Sequence, residues 1–347
     1  MGRGAPRPTG EAFDSLPVAV DAMGGDKAPG EIVIGARTIA DAGQIRVLLV
    51  GLEGQMGDTG DLPLHFCTEV IGMDDDPGQG VRRKKDSSLV RAAEAVRDGE
   101  AMAMVSAGNT GATMASALLR MGRLPGVIRP AIATPIPDLK KAYPTVMLDA
   151  GANAEATMPM LLQFAQMGAA YSTKRYGVAR PRVALLSIGE EKSKGTPLVK
   201  ETHGLLLEAA RGGSGGFEFV GNLEGRDLLP SPADVIVTDG FTGNVALKAL
   251  EGSLRFLFDT MLGVFGTNEA TTEAAGVLLP FLLPIAAEFE PENTGGAMLL
   301  GTNGVCVISH GSSNATAMMN AVLVAHECAT RGLADHVEAA VRNVELA

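Results

Sequence analysis

The chain has 347 residues, of which 46% are hydrophobic and only 4% aromatic, and it contains no tryptophan. This length suffices for one large α/β domain or two lobes, packed mainly by Ala, Val, Leu and Gly. The 29 basic and 40 acidic residues give a net charge of −11, which argues against a general nucleic-acid binder.

The placement of cysteine and histidine limits the metal and redox chemistry open to the chain. Cys67, Cys306 and Cys328 are far apart, odd in number and without C-x-x-C spacing. This pattern predicts a reducing compartment, with neither a zinc site nor a disulfide framework. The five histidines form no H-E-x-x-H motif and no close pair, so no metal site is expected.

The N-terminal part predicts an α/β fold that begins after a disordered extension. Residues 1–16 are rich in Gly, Pro and polar side chains and lack the apolar core of a secretory signal. A first strand is predicted at residues 17–21, a helix from about 29 to 42, and a second strand at 44–51. No G-x-G-x-x-G motif follows the first strand, so a dinucleotide cofactor is not indicated.

A basic run at Arg82, Arg83, Lys84 and Lys85 stands out in an acidic chain. It lies just before a predicted helix whose N-cap is one of residues 86–88. Two interpretations remain open. The run is either a solvated surface, which is the usual role of such charges, or a docking patch for an anionic partner or a phosphate.

Four predicted strands lead into polar loops that contain glycine or asparagine. Such a loop exposes backbone N–H groups at a helix N-terminus, where an oxyanion is a natural guest, although each could also be an ordinary tight turn. In open α/β sheets the strand ends converge on one crevice, so we expect the four loops to line a single site. The loops are residues 106–111, 149–153, 188–195 and 239–244.

The last of these junctions has the clearest pattern. The β-branched run at residues 234–238 predicts a strand buried on both faces, and residues 239–244 are predicted to form a glycine-containing turn. Val245, Leu247 and Leu250 then follow with helical spacing. This order of strand, turn and helix start is one that binds anions in other proteins.

The most apolar window is residues 278–287, within a segment at 274–289 that follows a strongly apolar helical pattern at 254–265. The sixteen residues of this segment would reach only about 24 Å as a helix, short of a ~30 Å hydrocarbon core. Pro280 and Pro284 predict that it is not one unbroken helix. A core or subunit-interface role is favoured, and a peripheral membrane contact is the alternative.

Eight motifs in a fixed order carry a family resemblance. They are VDAMGGD (20–26), RRKKDSS (82–88), SAGNTGA (106–112), LDAGAN (148–153), IGEEKSKG (188–195), EGRD (224–227), TDGFTGNVALK (238–248) and HGSS (310–313). Together they closely resemble the bacterial phosphate acyltransferases of phospholipid synthesis, which are acyl-acyl-carrier-protein:phosphate acyltransferases. The resemblance extends over about residues 18–347.

The resemblance implies an α/β fold, a Rossmann-like three-layer α/β/α sandwich related to the isocitrate/isopropylmalate dehydrogenases. Residues 17–347 would form a single catalytic domain with an apolar helical tip near 253–290. The resemblance also implies a homodimer in the cytoplasm that associates peripherally with the inner face of the membrane.

The implied reaction joins inorganic phosphate and a fatty acyl thioester of acyl carrier protein into acyl phosphate, with no cofactor. A membrane glycerol-3-phosphate acyltransferase would then accept the product.

This reaction needs positive charge for phosphate and hydrogen-bond donors for the thioester oxygen, but no covalent nucleophile. Lys194 is therefore predicted to orient phosphate, and Asn244 to donate to phosphate or to the developing oxyanion. Asp239 is expected to orient Lys194 or a bound water, and the basic run to dock the acidic carrier protein. The remaining predicted substrate-binding residues are Asn109, Thr110, Asn153, Thr242 and Gly243.

Three other functions remain to be weighed. A phosphotransacetylase-like enzyme that uses acyl-CoA would need the same loops but no carrier-protein patch. A decarboxylating dehydrogenase lacks support, because no dinucleotide fingerprint or cluster of metal-binding aspartates occurs. A membrane-bound regulator would account for the apolar segment but not for the repeated polar loops.

Overall fold

The computed structural model describes residues 16–342 except Gln44 and Ser214. Of the predicted extension at residues 1–16, all but Leu16 lies outside the described residues, and Leu16 packs against the hydrophobic core. Eleven strands occur in the described part of the chain. They are β1 (Val18–Asp21), β2 (Val47–Leu52), β3 (Leu64–Cys67), β4 (Ala103–Ser106), β5 (Ala131–Ile136), β6 (Thr145–Leu148), β7 (Arg182–Leu186), β8 (Glu218–Leu223), β9 (Val235–Val237), β10 (Ala297–Leu300) and β11 (Val305–Ile308).

Helices follow most of these strands. They are α1 (Gly30–Asp41), α2 (Pro77–Arg83), α3 (Ser88–Arg97), α4 (Thr110–Ser116), α5 (Met158–Tyr176), α6 (Pro197–Arg211), α7 (Gly240–Phe265), α8 (Glu269–Glu288), α9 (Pro291–Thr294), α10 (Ala315–Thr330) and α11 (Leu333–Arg342). A π-helical turn, Ala117–Met121, continues α4. The predicted first helix is confirmed, and the second strand lies slightly later than the predicted 44–51.

The strands form one sheet in the order β3-β2-β1-β4-β11-β10-β5-β6-β9-β7-β8. Strands β3, β2, β1, β4 and β11 are mutually parallel, and so are β6, β9, β7 and β8. Between these two blocks, β10 is antiparallel to β11 and to β5, and β5 is antiparallel to β6. Three reversals separate the blocks, so they run in opposite directions.

Helices cover both faces of this sheet. Val18 and Val20 pack with residues of α1, α5, α10 and α11 in one hydrophobic cluster. Ala19, which lies between them, belongs to a cluster on the other face with residues of α3 and α4. This alternation is the period-two pattern of a strand buried on both sides. The predicted three-layer α/β/α fold is confirmed.

The hairpin of α7 and α8 departs from the prediction for residues 274–289. Helix α8 is continuous over 20 residues, with Pro280 and Pro284 inside it. The two prolines are four residues apart and so share one face of the helix. The carbonyl groups they leave without an amide partner belong to Gly276 and Pro280, which are both exposed, so water can satisfy them. The expected interruption of the helix is therefore wrong.

The length of α8 determines whether this helix could span a membrane. At 1.5 Å per residue its 20 residues span about 30 Å. Among the described residues it is the one helix long and apolar enough to cross a membrane by length and composition, and only 6% of its apolar window is buried. The helix begins at Glu269, five residues before the predicted segment, so the expectation that this segment is too short to span a membrane is wrong.

Candidate active site

Three of the four polar loops lie next to one another. Leu148 of β6 pairs with Val237 of β9, which in turn pairs with Leu185 of β7. Because these strands are parallel, the loops at residues 149–153, 239–244 and 188–195 leave the sheet at the same edge. The loop at 106–111 follows β4, which belongs to the opposite block, and it leaves at the other edge. The expectation that all four loops share one edge is wrong.

Residues 109–112 form the start of α4. Ala112 belongs to an extended hydrophobic cluster on one face of the sheet, and Ala152 and Leu247 pack against the same cluster. Asn109 caps α4 through its Oδ1, which accepts a hydrogen bond of 3.0 Å from the amide of Ala112. The Asn109 amide nitrogen donates to the carbonyl of Met73 at 2.7 Å, so this side chain is already engaged. Thr110 is exposed at the start of α4.

A buried carboxylate that the sequence did not single out organises the loop after β6. Asp149 is 0% exposed, and its two oxygens accept bonds from the amides of Ile132, Gly151, Ala152 and Asn153 at 2.7–3.2 Å. The Asn153 side chain also donates to Asp149 at 2.9 Å and to the carbonyl of Pro130 at 2.9 Å. The predicted substrate-binding residue Asn153 therefore holds the loop together.

The segment at 239–244 is the first turn of α7 and not the predicted loop. Asp239 is the N-cap, with Oδ1 accepting from the Thr242 amide and Oδ2 from the Thr242 hydroxyl, both at 2.8 Å. Gly240 and Gly243 are buried against the neighbouring loop. A β-carbon on Gly240 would lie 2.5 Å from the main-chain carbonyl oxygen of Asn153, and one on Gly243 would lie 2.0 Å from that of Asp149. These glycines permit close approach and do not serve turn geometry.

The same contacts occupy backbone amides that were expected to bind an oxyanion. Carboxylate oxygens of Asp149 and Asp239 already accept bonds from loop amides that an anion would use. The Asp239 carboxylate bonds to Thr242, and within residues 16–342 as described no bond joins it to Lys194. The amides of Ala152, Asn153 and Thr242 are therefore not open to an anion, which favours a role for side chains at this edge.

Two side chains at this edge are available for that purpose. Asn244 is exposed and lies over Gly151, where a β-carbon would be 3.7 Å from the Asn244 Cγ. Lys194 is exposed, its Cγ lies over Gly189, and its main-chain nitrogen bonds to the Glu191 carbonyl at 2.9 Å. Neither the Lys194 amino group nor the Asn244 amide has a hydrogen-bond partner in the described part of the chain. They follow β7 and β9, which are adjacent strands.

The basic run divides into two kinds of residue. Arg82 and Arg83 end α2 and are exposed, as is Lys85, and none of the three forms an ion pair with a described residue. Lys84 is half-buried, and its amino group donates to the Val70 carbonyl at 2.8 Å and to Asp75 at 2.5 Å. Lys84 therefore fastens the loop before α2 and is not free to meet a partner.

A second buried carboxyl lies at the opposite edge, where β1, β4 and β11 end. Asp21 accepts a 2.7 Å hydrogen bond from the Ser106 hydroxyl, and a β-carbon on Gly24 would lie 2.5 Å from the Asp21 Oδ2. Burial raises the pKa of Asp21, and hydrogen bonds from Ser88, Ser106 and the Met23 amide offset only part of that rise. The signal for it in the sequence was an Asp at a strand end before a Gly pair.

The cysteine thiols do not provide a nucleophile at neutral pH. Cys67, Cys306 and Cys328 are all buried. Burial raises their pKa values to about 11, 12 and 11, so the reactive thiolate is scarce. The described residues also contain no group of three His, Cys, Asp or Glu side chains that could hold a metal.

Comparison with known proteins identifies the family. The family model described as "Fatty acid synthesis protein" matches residues 16–336. The phosphate acyltransferase of Heliobacterium modesticaldum is 45% identical over 319 residues, which cover 89% of this chain and 93% of that protein. The chain belongs to the phosphate acyltransferase family. The resemblance carried by the eight motifs is thereby confirmed.

The solved structures that superpose on this chain have much lower sequence identity to it. A phosphotransacetylase from Streptococcus pyogenes superposes with a TM-score of 0.61 at 17% identity, covering 92% of this chain and 96% of that one. A 4-hydroxythreonine-4-phosphate dehydrogenase from Klebsiella pneumoniae gives a TM-score of 0.50 at 13% identity, covering 91% and 98%. At these identities the likeness establishes the fold alone.

Proposed function

We propose that the protein makes acyl phosphate from a fatty acyl thioester of acyl carrier protein and inorganic phosphate. The observation that carries the proposal is the pair Lys194 and Asn244, a cationic amino group and an amide donor without described partners at the ends of adjacent strands. In a phosphate acyltransferase, the phosphate nucleophile requires a positive charge and the developing oxyanion requires a hydrogen-bond donor.

The chemistry assigns each of the two residues a task. A phosphate oxygen attacks the thioester carbon, the carbon–sulfur bond breaks with its electron pair going to sulfur, and the proton lost by phosphate ends on the leaving thiol. Lys194 holds the phosphate charge and aligns it for attack. Asn244 donates to phosphate or to the carbonyl oxygen as that oxygen gains charge. No covalent enzyme intermediate is needed.

The other predicted substrate-binding residues fall into two groups. We assign Asn153, Asp239, Thr242 and Gly243 to shaping the site, because their polar groups or close contacts are used within the protein. Asn109 and Thr110 begin α4 at the opposite edge of the sheet from Lys194 and Asn244. The Asn109 side chain is used in its cap and its bond to Met73, and the exposed Thr110 is not assigned to the site around Lys194.

Arg82, Arg83 and Lys85 are proposed to dock acyl carrier protein. They are exposed cations without described ion pairs in a chain of net charge −11. Complementary charge steers an acidic partner and fixes its orientation more than it adds affinity. The half-buried Lys84 is left out of this patch.

We further propose that residues 17–347 act as one catalytic domain in a cytoplasmic homodimer, whose apolar tip near 253–290 touches the inner face of the membrane. The support is the exposure of large apolar side chains on α7 and α8, including Phe256 at 73% and Phe281 at 73%. A long-chain acyl phosphate is apolar at one end, so release near the membrane would deliver it to a membrane glycerol-3-phosphate acyltransferase.

The decisive experiment is an assay of purified protein for phosphate-dependent loss of the acyl-carrier-protein thioester. The expected result is stoichiometric release of the carrier thiol and acyl phosphate, with higher kcat/KM than for acyl-CoA. Thioester loss that is independent of phosphate would overturn the proposal. Equal or better use of acyl-CoA would instead support the phosphotransacetylase-like alternative, which needs the same phosphate site without a docking patch.

A further inference from the structure

A chain of three hydrogen bonds links the loop that carries Lys194 to β8 and α6. The Glu191 carbonyl accepts the Lys194 main-chain amide at 2.9 Å and the Asn222 side-chain amide at 3.1 Å. The Asn222 Oδ1 lies 3.0 Å from Nδ1 of His203. The chain therefore runs from His203 on α6, through Asn222 on β8, to the turn that positions Lys194.

The chemistry of these groups fixes the direction of each bond. A carbonyl oxygen can only accept, so the Asn222 nitrogen must face Glu191 and its oxygen must face His203. His203 must then carry a proton on Nδ1 to donate to that oxygen. The imidazole meets the Phe219 ring edge-on at a centroid distance of 5.0 Å, which limits its rotation. Asn222 is only 8% exposed, so its bonds are shielded from water.

We propose that Asn222, held by His203, is the positioning residue for Lys194. The inference rests on the proposed function, in which Lys194 orients phosphate. Residues 190–194 are all exposed, and the Asn222 amide ties this stretch to β8. A further side-chain link of the stretch is an ion pair of 3.9 Å between Glu190 and Arg226, and both of these side chains are exposed. A lysine side chain has many rotamers, so its amino group is placed only as well as its main chain is held. Without Asn222, Lys194 stays on the loop, but its amino group is no longer held in position to orient phosphate.

The first test replaces the donor. Asn222→Ala and Asn222→Asp both remove the bond to the Glu191 carbonyl, and the aspartate keeps an acceptor for His203. We expect kcat to fall roughly 10- to 100-fold with little change in KM for the acyl substrate, since a displaced group costs rate more than binding. Glu201→Ala, an exposed change on the same helix as His203, is the control and should retain wild-type kcat. Wild-type kcat in both Asn222 variants would overturn the inference.

A double-mutant comparison separates positioning from a general structural role. If Asn222 acts through Lys194, adding Asn222→Ala to Lys194→Ala lowers kcat no further. Losses that multiply would overturn the inference while leaving the role of Lys194 intact. Wild-type kcat in Lys194→Ala alone would instead overturn the proposed function of that residue, and the positioning role with it.

Hydrogen exchange supplies a readout that does not depend on activity. Asn222→Ala is expected to speed exchange of the Lys194 amide by about 10-fold or more, because the Glu191 carbonyl that accepts it loses its tie to β8. Exchange in β1 and β4, on the far side of the sheet, should stay at the wild-type rate. Unchanged exchange of the Lys194 amide would mean that the turn is held by other contacts and would overturn the inference.

Discussion

Gly243 packs so closely on Asp149 that a β-carbon on the glycine would lie 2.0 Å from the Asp149 carbonyl oxygen. This contact joins the first turn of α7 to the loop after β6. Asn244 is the next residue along α7, so the contact also sets the position of its amide. This close contact therefore lies directly beside a proposed catalytic side chain.

Gly243→Ala is expected to impair both folding and turnover. The added methyl group meets main-chain atoms that cannot move aside like a side chain, so a cost of about 1–3 kcal/mol or more in unfolding free energy is expected. Displacement of Asn244 should lower kcat by roughly 10- to 100-fold. Urea denaturation and steady-state kinetics measure the two effects.

Gly252→Ala is the matched control for this change. Gly252 lies in the same helix, and a β-carbon there would meet no atom within 4 Å. Alanine favours helix over glycine, so the control should gain about 0.4–1 kcal/mol in unfolding free energy and keep its kcat. Equal behaviour of the two variants would mean that the close contact at Gly243 has no consequence.

Lys194→Ala and Asn244→Ala are each expected to lower kcat by roughly 100- to 1,000-fold, the usual effect of removing one preorganised donor. Both side chains are exposed, so thermal unfolding should stay near that of the wild type. Lys192→Ala, another exposed lysine of the same loop, is the control and should keep its activity. Near-normal turnover in both variants would remove these residues from the mechanism.

The sequence predicted which strand ends carry polar loops, but it could not reveal their relative directions. The reversal between the two blocks depends on β5 and β10, whose pairing joins residues 165 to 169 positions apart, as in Met298 with Ala133 and Leu300 with Ala131. Gly240 and Gly243 were assigned to a turn because a glycine that permits close approach and one that permits a positive φ look alike in a sequence.

The hydrogen-bond and ion-pair partners of side chains could not be predicted from the sequence either. Lys84 was grouped with its basic neighbours because nothing in the run indicates that Asp75 and the Val70 carbonyl bind its amino group. Asp149 was missed for the same reason, since its role depends on amides that converge only after folding. Lys194 and Asn244 could be proposed from the sequence because family motifs contain them.

Charge reversal at Arg82 and Lys85 tests the docking patch. Arg82→Glu with Lys85→Glu should raise KM for the acyl-carrier-protein substrate about 10-fold or more, with kcat little changed, because both cations are exposed. The wild-type rate at low substrate should fall as salt rises, since screening acts beyond about 8–10 Å. Equal loss with acyl-CoA would place these charges in the active site.

Lys84→Ala is the contrasting variant in the same run. It removes the ion pair with Asp75 and the bond to the Val70 carbonyl. We therefore expect it to lower the unfolding temperature and to leave KM for the carrier-protein substrate nearly unchanged.

The buried Asp21 carboxyl predicts a pH-dependent stability. Burial raises its pKa in the folded protein, so the folded state keeps a proton that the unfolded chain releases near pH 3.9. Its contribution to stability is therefore fully present below that pH and is lost as pH rises through the folded pKa. Relative to Asp21→Asn, the wild type should lose unfolding free energy as pH increases from 4 to 8. A constant difference across this range would contradict the argument.

Asp58 provides a control of opposite sign. A hydrogen bond from Arg37 lowers the pKa of this exposed carboxyl, so its contribution is present above about pH 3.9 and is lost as pH falls through the folded pKa. Relative to Asp58→Asn, the wild type should therefore lose stability on acidification. Urea denaturation at several pH values distinguishes the two slopes.

The apolar surface of α8 tests the proposed membrane contact. Val277 and Phe281 are 65% and 73% exposed and share one face of the helix, whereas Leu279 and Leu282 are half-buried. Each large apolar side chain gains about 1.5–3 kcal/mol on full burial, whether in lipid or in a partner subunit. Replacing the half-buried pair would disturb helix packing, so the exposed pair gives the cleaner experiment.

Val277→Glu with Phe281→Glu should abolish sedimentation with anionic vesicles while the protein remains dimeric and active on carrier-protein substrate. Ile34→Glu with Leu323→Glu changes two exposed apolar residues outside the hairpin and should leave vesicle binding intact. Sedimentation equilibrium must accompany the vesicle assay, because a subunit interface would bury the same side chains. If the hairpin variant becomes monomeric, the exposed face of α8 joins two copies of this chain, and the membrane role falls.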